Sequence, residues 1–210
     1  MYDKELIFQR YPQLAGCKED MEKALSLLID CVKNGGKLLL CGNGGSCSDS
    51  DHIAGECLKG FLKKRALSAQ EKSKWQEAYG EEGAWVADTL QGGFCAINLP
   101  GFAAPISAVC NDTDPQLMYA QLVWAMGKPG DVLIGLSTSG GAKNVKYAAQ
   151  AAKQRGMQVI SLTGQKTSPL SDLADAAIRV PAQETYQVQE YHLPVYHWLC
   201  AAAEDVLFPD

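Results

Sequence analysis

An α/β fold, a parallel sheet with helices over both faces, is what this sequence predicts. Three observations carry that expectation. Apolar strand-like runs alternate with helical stretches through most of the 210 residues, and such alternation calls for right-handed crossovers and a parallel sheet. The first strand, 38–41, is a continuous apolar run without polar alternation, as expected of a strand buried on both faces, and 131–136 is a second clear strand. Each ends in a Gly- and Ser-rich turn followed at once by a helical segment. In parallel sheets ligands gather beyond the carboxyl ends of strands, where both turns would lie.

The elements follow in order. Met21, Leu25, Leu28, Ile29 and Val32 recur at helical spacing and predict a helix near 18–34, ended by Asn34-Gly35-Gly36. After the first strand, 38–41, comes a helix carrying His52 and Glu56. The apolar segments 95–99 and 106–110 fit either element type. Residues 115–126 read as a helix closed by Gly127, 131–136 as a strand, and 144–155 as an Ala-rich helix stopped by Gly156. A strand at 157–162, a short helix at 169–177 and a short strand at 177–180 follow. From about 184 to 207 the pattern is one long amphipathic helix, which Pro194 is expected to kink or break. Residues 62–93 depart from the alternation, being polar and charged. Trp75 and Trp85 argue against disorder there. A helical or loop insertion within a single domain spanning 1–210 is expected, covering part of the cleft or a neighbouring subunit.

Composition narrows the function. A hydrophobic fraction of 47% and a charged fraction of 20% are ordinary for a soluble globular chain. The net charge of −5 speaks against general nucleic-acid affinity, which needs a basic face. No apolar run approaches the ~20 residues of a membrane span. Met1-Tyr2-Asp3-Lys4-Glu5 lacks a signal-peptide layout. The eight cysteines are scattered in apolar contexts with no C-x-x-C pairing. They read as reduced, mostly buried residues of a cytoplasmic protein.

The chemistry sits in three places. Gly42-Asn43-Gly44-Gly45-Ser46 joins a strand to a helix, so its glycines allow close backbone approach and the helix start offers free N–H groups to an anion. Ser137-Thr138-Ser139-Gly140-Gly141 repeats that design with three hydroxyls. Either turn alone could be an ordinary cap; two in register favour phosphate binding. His52 and Glu56, spaced i, i+4, share a helix face. Taken alone they could be a surface pair worth a few tenths of a kcal/mol. The segment from Gln189 to His197 holds two of the three histidines. His192 reads as a core or interface histidine, whereas Gln189 and His197, eight residues apart, can share a broad face. His52, Glu56, Gln189 and His197 together offer two nitrogens and two oxygens, a donor set suited to zinc or a similar divalent ion.

These residues resemble the bacterial phosphoheptose isomerases, sugar-isomerase (SIS) domain proteins that convert sedoheptulose 7-phosphate to D-glycero-D-manno-heptose 7-phosphate. The resemblance runs through Gly42–Ser46, His52, Glu56, Asn111-Asp112, the strand and loop at 130–140, and Gln189, His192 and His197. It covers nearly all of the chain except 62–93. It implies a three-layer, five-stranded, flavodoxin-like parallel sheet with an N-terminal helix and a long C-terminal helix. It further implies that Ser46, Ser137, Thr138 and Ser139 hold the phosphate, with Asn43, Gly44 and Gly45 lining the substrate and Asn111, Asp112 and Gln189 contacting it. Glu56 is then the general base, His197 a general acid/base, and His52, Glu56, Gln189 and His197 the zinc ligands. A homotetramer with shared active sites, heptose synthesis for surface glycans, and neither nucleic-acid nor membrane partners complete the expectation. Three features depart from the family pattern: Ala142 replaces a phosphate-binding serine and Gly141 an asparagine, Tyr186 stands at an often acidic position, and 62–93 is unusually long. Lys143 is a candidate source of compensating charge.

Two other classes compete with an enzyme. One is a non-catalytic SIS module of the kind that binds the bacterial replication initiator, which the presence of both Glu56 and His197 disfavours. The other is a sugar-phosphate-sensing regulator, for which about 35 residues before the first strand leave no room for a DNA-binding module. An isomerase of another ketose phosphate is the alternative within the same chemistry.

Overall fold

The computed structural model describes residues 2–209. A short helix α1 (Leu6–Arg10) and a 3₁₀ turn (Pro12–Cys17) lead into α2 (Lys18–Lys33). Then come β1 (Leu38–Cys41), α3 (Gly45–Leu58), α4 (Ala69–Thr89), β2 (Ala96–Asn98), α5 (Ala103–Asp112) and α6 (Met118–Met126). The chain continues through β3 (Val132–Leu136), α7 (Lys143–Gln154), β4 (Gln158–Thr163), β5 (Ala176–Arg179) and α8 (Thr185–Leu207). Five strands pair in the order β2-β1-β3-β4-β5, every pair parallel. This is the flavodoxin-like order, whose direction of winding reverses between β1 and β3 and opens a crevice beyond their carboxyl ends.

The period-two geometry of strands divides the core into two layers. Leu38, Leu40, Ile134, Ile160 and Leu162 face Met21 and Leu28 of α2 and Val195 and Leu199 of α8. Leu39, Cys41, Leu133 and Val159 face Tyr119 and Val123 of α6 and Val145, Ala148 and Ala149 of α7. Each such aliphatic side chain removed from water contributes roughly 2 kcal/mol, which holds the helices to the sheet. The layering fixes α3 and α8 on one side and α7 on the other, with the N-termini of α3 and α7 at the crevice.

Several expectations change. Helix α8 runs unbroken through Pro194. The carbonyl that loses its partner there belongs to Glu190, an exposed residue whose carbonyl water can serve. The helix expected at 169–177 shrinks to a 3₁₀ turn, Ser171–Leu173, because β5 already begins at Ala176. Of the two ambiguous segments, the first holds a strand and the second lies in α5, none of whose residues is buried.

The 62–93 segment is a helical hairpin that packs chiefly on itself. Gly80 turns the chain with φ 64° inside α4. Lys72 then meets Asp88 at 2.7 Å, sixteen residues on; a straight helix would hold them roughly 24 Å apart. The arms touch at Gly83, where a Cβ would strike the carbonyl of Trp75. An antiparallel bridge, Ala66 to Gln91, closes the neck. Tyr79 and Trp85 are exposed, and no residue of α4 lines the crevice cavity described below. Of the two alternatives expected for the insertion, cover over the cleft of its own chain is not what α4 provides.

All eight cysteines are free. Burial pushes the thiols of Cys17 and Cys31 up to about 11 and that of Cys41 to about 12, so they stay protonated near neutrality. No helix among the described residues is long and apolar enough to cross a membrane.

Candidate active site

The crevice at the β1/β3 switch holds a cavity of about 340 Å³. Asn43, Gly44, Gly45 and Ser46 line one wall, Ser137, Thr138, Ser139 and Ala142 another, and Thr185 and Gln189 the third. Helix α3 begins after Gly44 and α7 after Ala142, and neither cap residue offers a side-chain hydrogen bond to its helix. Ser46 N–H turns to the Asn43 carbonyl at 3.0 Å and Val145 N–H to Asn144 Oδ1 at 3.0 Å, so what faces one anion is the positive ends of two helices with their remaining first-turn N–H groups. Ser46 and Ser137 are buried at the cavity wall while Ser139 is exposed. Gln189 packs against Gly45, where a Cβ would collide with its amide.

The first loop is fixed by partners that local pattern reading missed. Asn43 and Asn144 exchange a reciprocal pair of amide hydrogen bonds, each 2.9 Å. The Tyr119 hydroxyl donates to the carbonyl of Gly42 at 2.8 Å. Loop one is therefore tied to α6 and α7 although 76 to 101 residues separate the partners. Side-chain pairs at such separations leave no periodic trace in a sequence. Lys143 is exposed and lies outside the lining, so the structure does not bring it in as compensating charge.

Along the same two helices a second group forms. His52 Nε2 lies 3.0 Å from Glu56 Oε1 and 3.5 Å from His197 Nε2. One ligating atom from each of the three residues falls within 4.8 Å of the others. Tyr196, also unpredicted, explains their orientation. Its hydroxyl stands 2.9 Å from His52 Nδ1 and donates toward Asp49 Oδ1 at 3.4 Å, which holds the imidazole ring in place. Burial, reinforced by the Asp49 charge, keeps that phenol protonated, and burial raises the Asp49 carboxyl. His52 Nε2 thereby faces the Glu56 carboxylate oxygen and the His197 imidazole. His197 is lowered from the ordinary histidine value by burial, then by the neighbouring His52, against the opposing pull of Glu56. Its Nε2 points to the same place.

Three converging acceptors suit a cation. In a tetrahedral zinc site with bonds of about 2.1 Å, adjacent ligand atoms stand about 3.4 Å apart. The 3.0 and 3.5 Å separations bracket that edge. Gln189 lies eight residues before His197, about 12 Å back along α8, and its amide packs on Gly45 at the cavity wall. Asn111 and Asp112, hydrogen-bonded to each other at 2.7 Å, sit exposed at the end of α5, outside the cavity lining. His192 is fully buried, as read, and burial pushes it down to about 4.

Comparison with known proteins agrees with this layout. SIS domain models match residues 13–79 and 106–197. A phosphoheptose isomerase of Rhodospirillum rubrum is 34% identical over 200 residues, spanning 93% of this chain and 90% of that protein. One from Helicobacter pylori is 34% identical across 91% of this chain and 86% of its own. A phosphoheptose isomerase structure from Francisella tularensis superposes with a TM-score of 0.76 at 27% identity, covering 96% of this chain and 94% of its own. One from Neisseria gonorrhoeae gives 0.70 at 28% identity, with 94% and 92% covered. With a cavity between two Gly- and Ser-rich loops, a His-Glu-His group about two helical turns along the same helices, and relatives at this level along nearly its whole length, the chain belongs to the phosphoheptose isomerase family of SIS-domain proteins.

Proposed function

We propose that the protein interconverts sedoheptulose 7-phosphate and D-glycero-D-manno-heptose 7-phosphate through an enediol. It would do so as one SIS unit, 1–210, with 62–93 as an insertion. The observation that carries the reading is the meeting of Glu56, from α3, with His197, from α8, about two helical turns along those helices from the serine-bearing cavity. The phosphate would rest on the helix ends at Gly44–Ser46 and Ser137–Ala142, with Asn43, Gly44, Gly45 and Gln189 bounding the sugar chain. The Glu56 carboxylate would remove the proton from C1 and return it to C2. His197, held neutral by burial, would take the O1 proton and deliver one to O2, so the enediol forms and collapses with no net proton change. His52, Glu56 and His197 would hold a zinc-class ion, Gln189 reaching it only by leaving Gly45. Such an ion, when bound, polarises the carbonyl oxygen. Asn111 and Asp112 would meet substrate only across the interface of a homotetramer.

A second reading keeps the chemistry and changes the sugar. Ala142 lines the cavity without a hydroxyl, which supports a different ketose phosphate. The test incubates the protein in deuterium oxide with a panel of five-, six- and seven-carbon ketose phosphates and reads label at C2. Exchange with the seven-carbon substrate alone supports the heptose reading, exchange with another the second, and exchange with none removes the isomerase.

A further inference from the structure

Arg65 is the single non-glycine residue with positive φ among the described residues, at 45°. Side chains with a Cβ rarely adopt that backbone, so surrounding contacts must enforce it. They are unusually complete. The Arg65 side chain is fully buried, and its Nε donates to Glu204 Oε1 at 2.7 Å. Nη1 donates to the carbonyl of Cys57 at 2.8 Å and Nη2 to that of Glu56 at 2.9 Å. The guanidinium also lies over the Phe208 ring, 4.8 Å from its centroid. Glu204 in turn accepts the backbone N–H groups of Phe61, Leu62 and Lys63 at 2.8, 2.8 and 3.1 Å.

Two of these contacts reach the proposed chemistry. The carbonyls of Glu56 and Cys57 belong to the last turn of α3, where helix carbonyls lack intrahelical partners and the dipole is negative. Cys57 also receives the Phe94 N–H at 3.1 Å, whereas for the Glu56 carbonyl Arg65 is the partner beyond its own helix. Glu204 lies on α8, two turns beyond His197. One planar fork therefore joins the end of the helix carrying His52 and Glu56 to the helix carrying His197.

We propose that Arg65 is a positioning residue for Glu56, setting the carboxylate against His197 by clamping the last turn of α3 to α8. This rests on the reading of Glu56 as the base. Arg65 is not among the residues lining the crevice cavity; it acts through the backbone of Glu56. A displacement of about 1 Å at a reacting group costs on the order of 100-fold in rate.

Removing one member of a buried ion pair can unfold a protein, whereas replacing both by apolar residues of like volume is often tolerated. The test is therefore Arg65→Met with Glu204→Met, beside the conservative Arg65→Lys. In the double variant, at a thermal midpoint near that of the parent, kcat falls about 10- to 100-fold and KM stays within threefold. Amide hydrogen exchange across residues 55–58 accelerates. Arg65→Lys, keeping the charge but losing the fork, recovers part of kcat. Unchanged exchange at 55–58 with unchanged kcat overturns the clamp, as does a rise in KM alone. Absence of turnover in the parent protein sinks the isomerase reading instead, and the exchange measurement still decides the clamp.

Discussion

His197 Nε2 stands 3.5 Å from His52 Nε2, two imidazole nitrogens from helices 145 residues apart in sequence turned toward each other. The Tyr196 hydroxyl, 2.9 Å from His52 Nδ1, holds the first ring in that orientation. Glu56 Oε1, 3.0 Å from His52, adds negative charge to the same point. The fold concentrates electron density there, and a cation or a transferred proton is its natural complement.

Glu56→Gln keeps the shape and removes the base. Turnover is expected to fall by 10²- to 10⁴-fold, the usual contribution of a positioned general base. The affinity for an unreactive sugar phosphate, read by calorimetry, should change by less than threefold because the serine cavity is untouched. Full activity in this variant would eliminate the mechanism.

Zinc added to the metal-stripped protein is expected to raise the thermal midpoint and to bind at one ion per chain by equilibrium dialysis. A ligand present at 100 times its Kd stabilises the folded state by about 2.7 kcal/mol. His52→Ala or His197→Ala should abolish both responses. Zinc binding that survives both substitutions would place the metal elsewhere.

Ala142 is the cap residue of α7 and offers no side-chain hydrogen bond to its helix. Ala142→Ser supplies one, worth about 1 kcal/mol, or roughly 2–4 °C in Tm for a chain of this size. It also adds a donor to the phosphate cavity, so KM should fall several-fold with kcat unchanged. A higher KM together with a higher Tm would show that the hydroxyl serves the helix at the expense of the ligand.

His192 makes stability depend on pH. The folded protein holds it neutral down to about 4, whereas the unfolded chain protonates it near 6.5. Between those values the unfolded state binds more protons, so stability is full above pH 6.5 and declines as pH falls toward 4. Two and a half pH units correspond to about 3 kcal/mol. Urea unfolding of His192→Leu should show a flatter profile from pH 6.5 to 4. An unchanged slope would assign the acid sensitivity to other groups.

The layers and the anion loops were legible because they are written locally. Unbroken apolar runs at 38–41 and 132–136 mark buried strands, and the glycines and serines after them mark a strand-to-helix turn. The hairpin was legible only as an anomaly: its charges and two tryptophans showed structure, while its fold depends on Lys72 meeting Asp88 and on Gly83 admitting Trp75. Pro194 does not break α8: the carbonyl it frees belongs to Glu190, an exposed residue, which a local rule does not take into account. Asn144, Tyr119, Tyr196 and Arg65 were not legible as site residues, since each acts through a partner far away in sequence.

By itself, then, the sequence determined the alternation of strands and helices, the burial of the first strand, the two Gly- and Ser-rich strand-to-helix turns and the His52–Glu56 spacing, all set by interactions within a few residues. Tertiary structure alone decided that His197 reaches that pair, that Gln189 faces the phosphate-type cavity, that α4 folds away from the cleft, and that Arg65 joins the two site helices. The physical reason is packing: α8 must bury its apolar side against α2, α3 and the sheet, and the register it finds there selects which polar side chains meet.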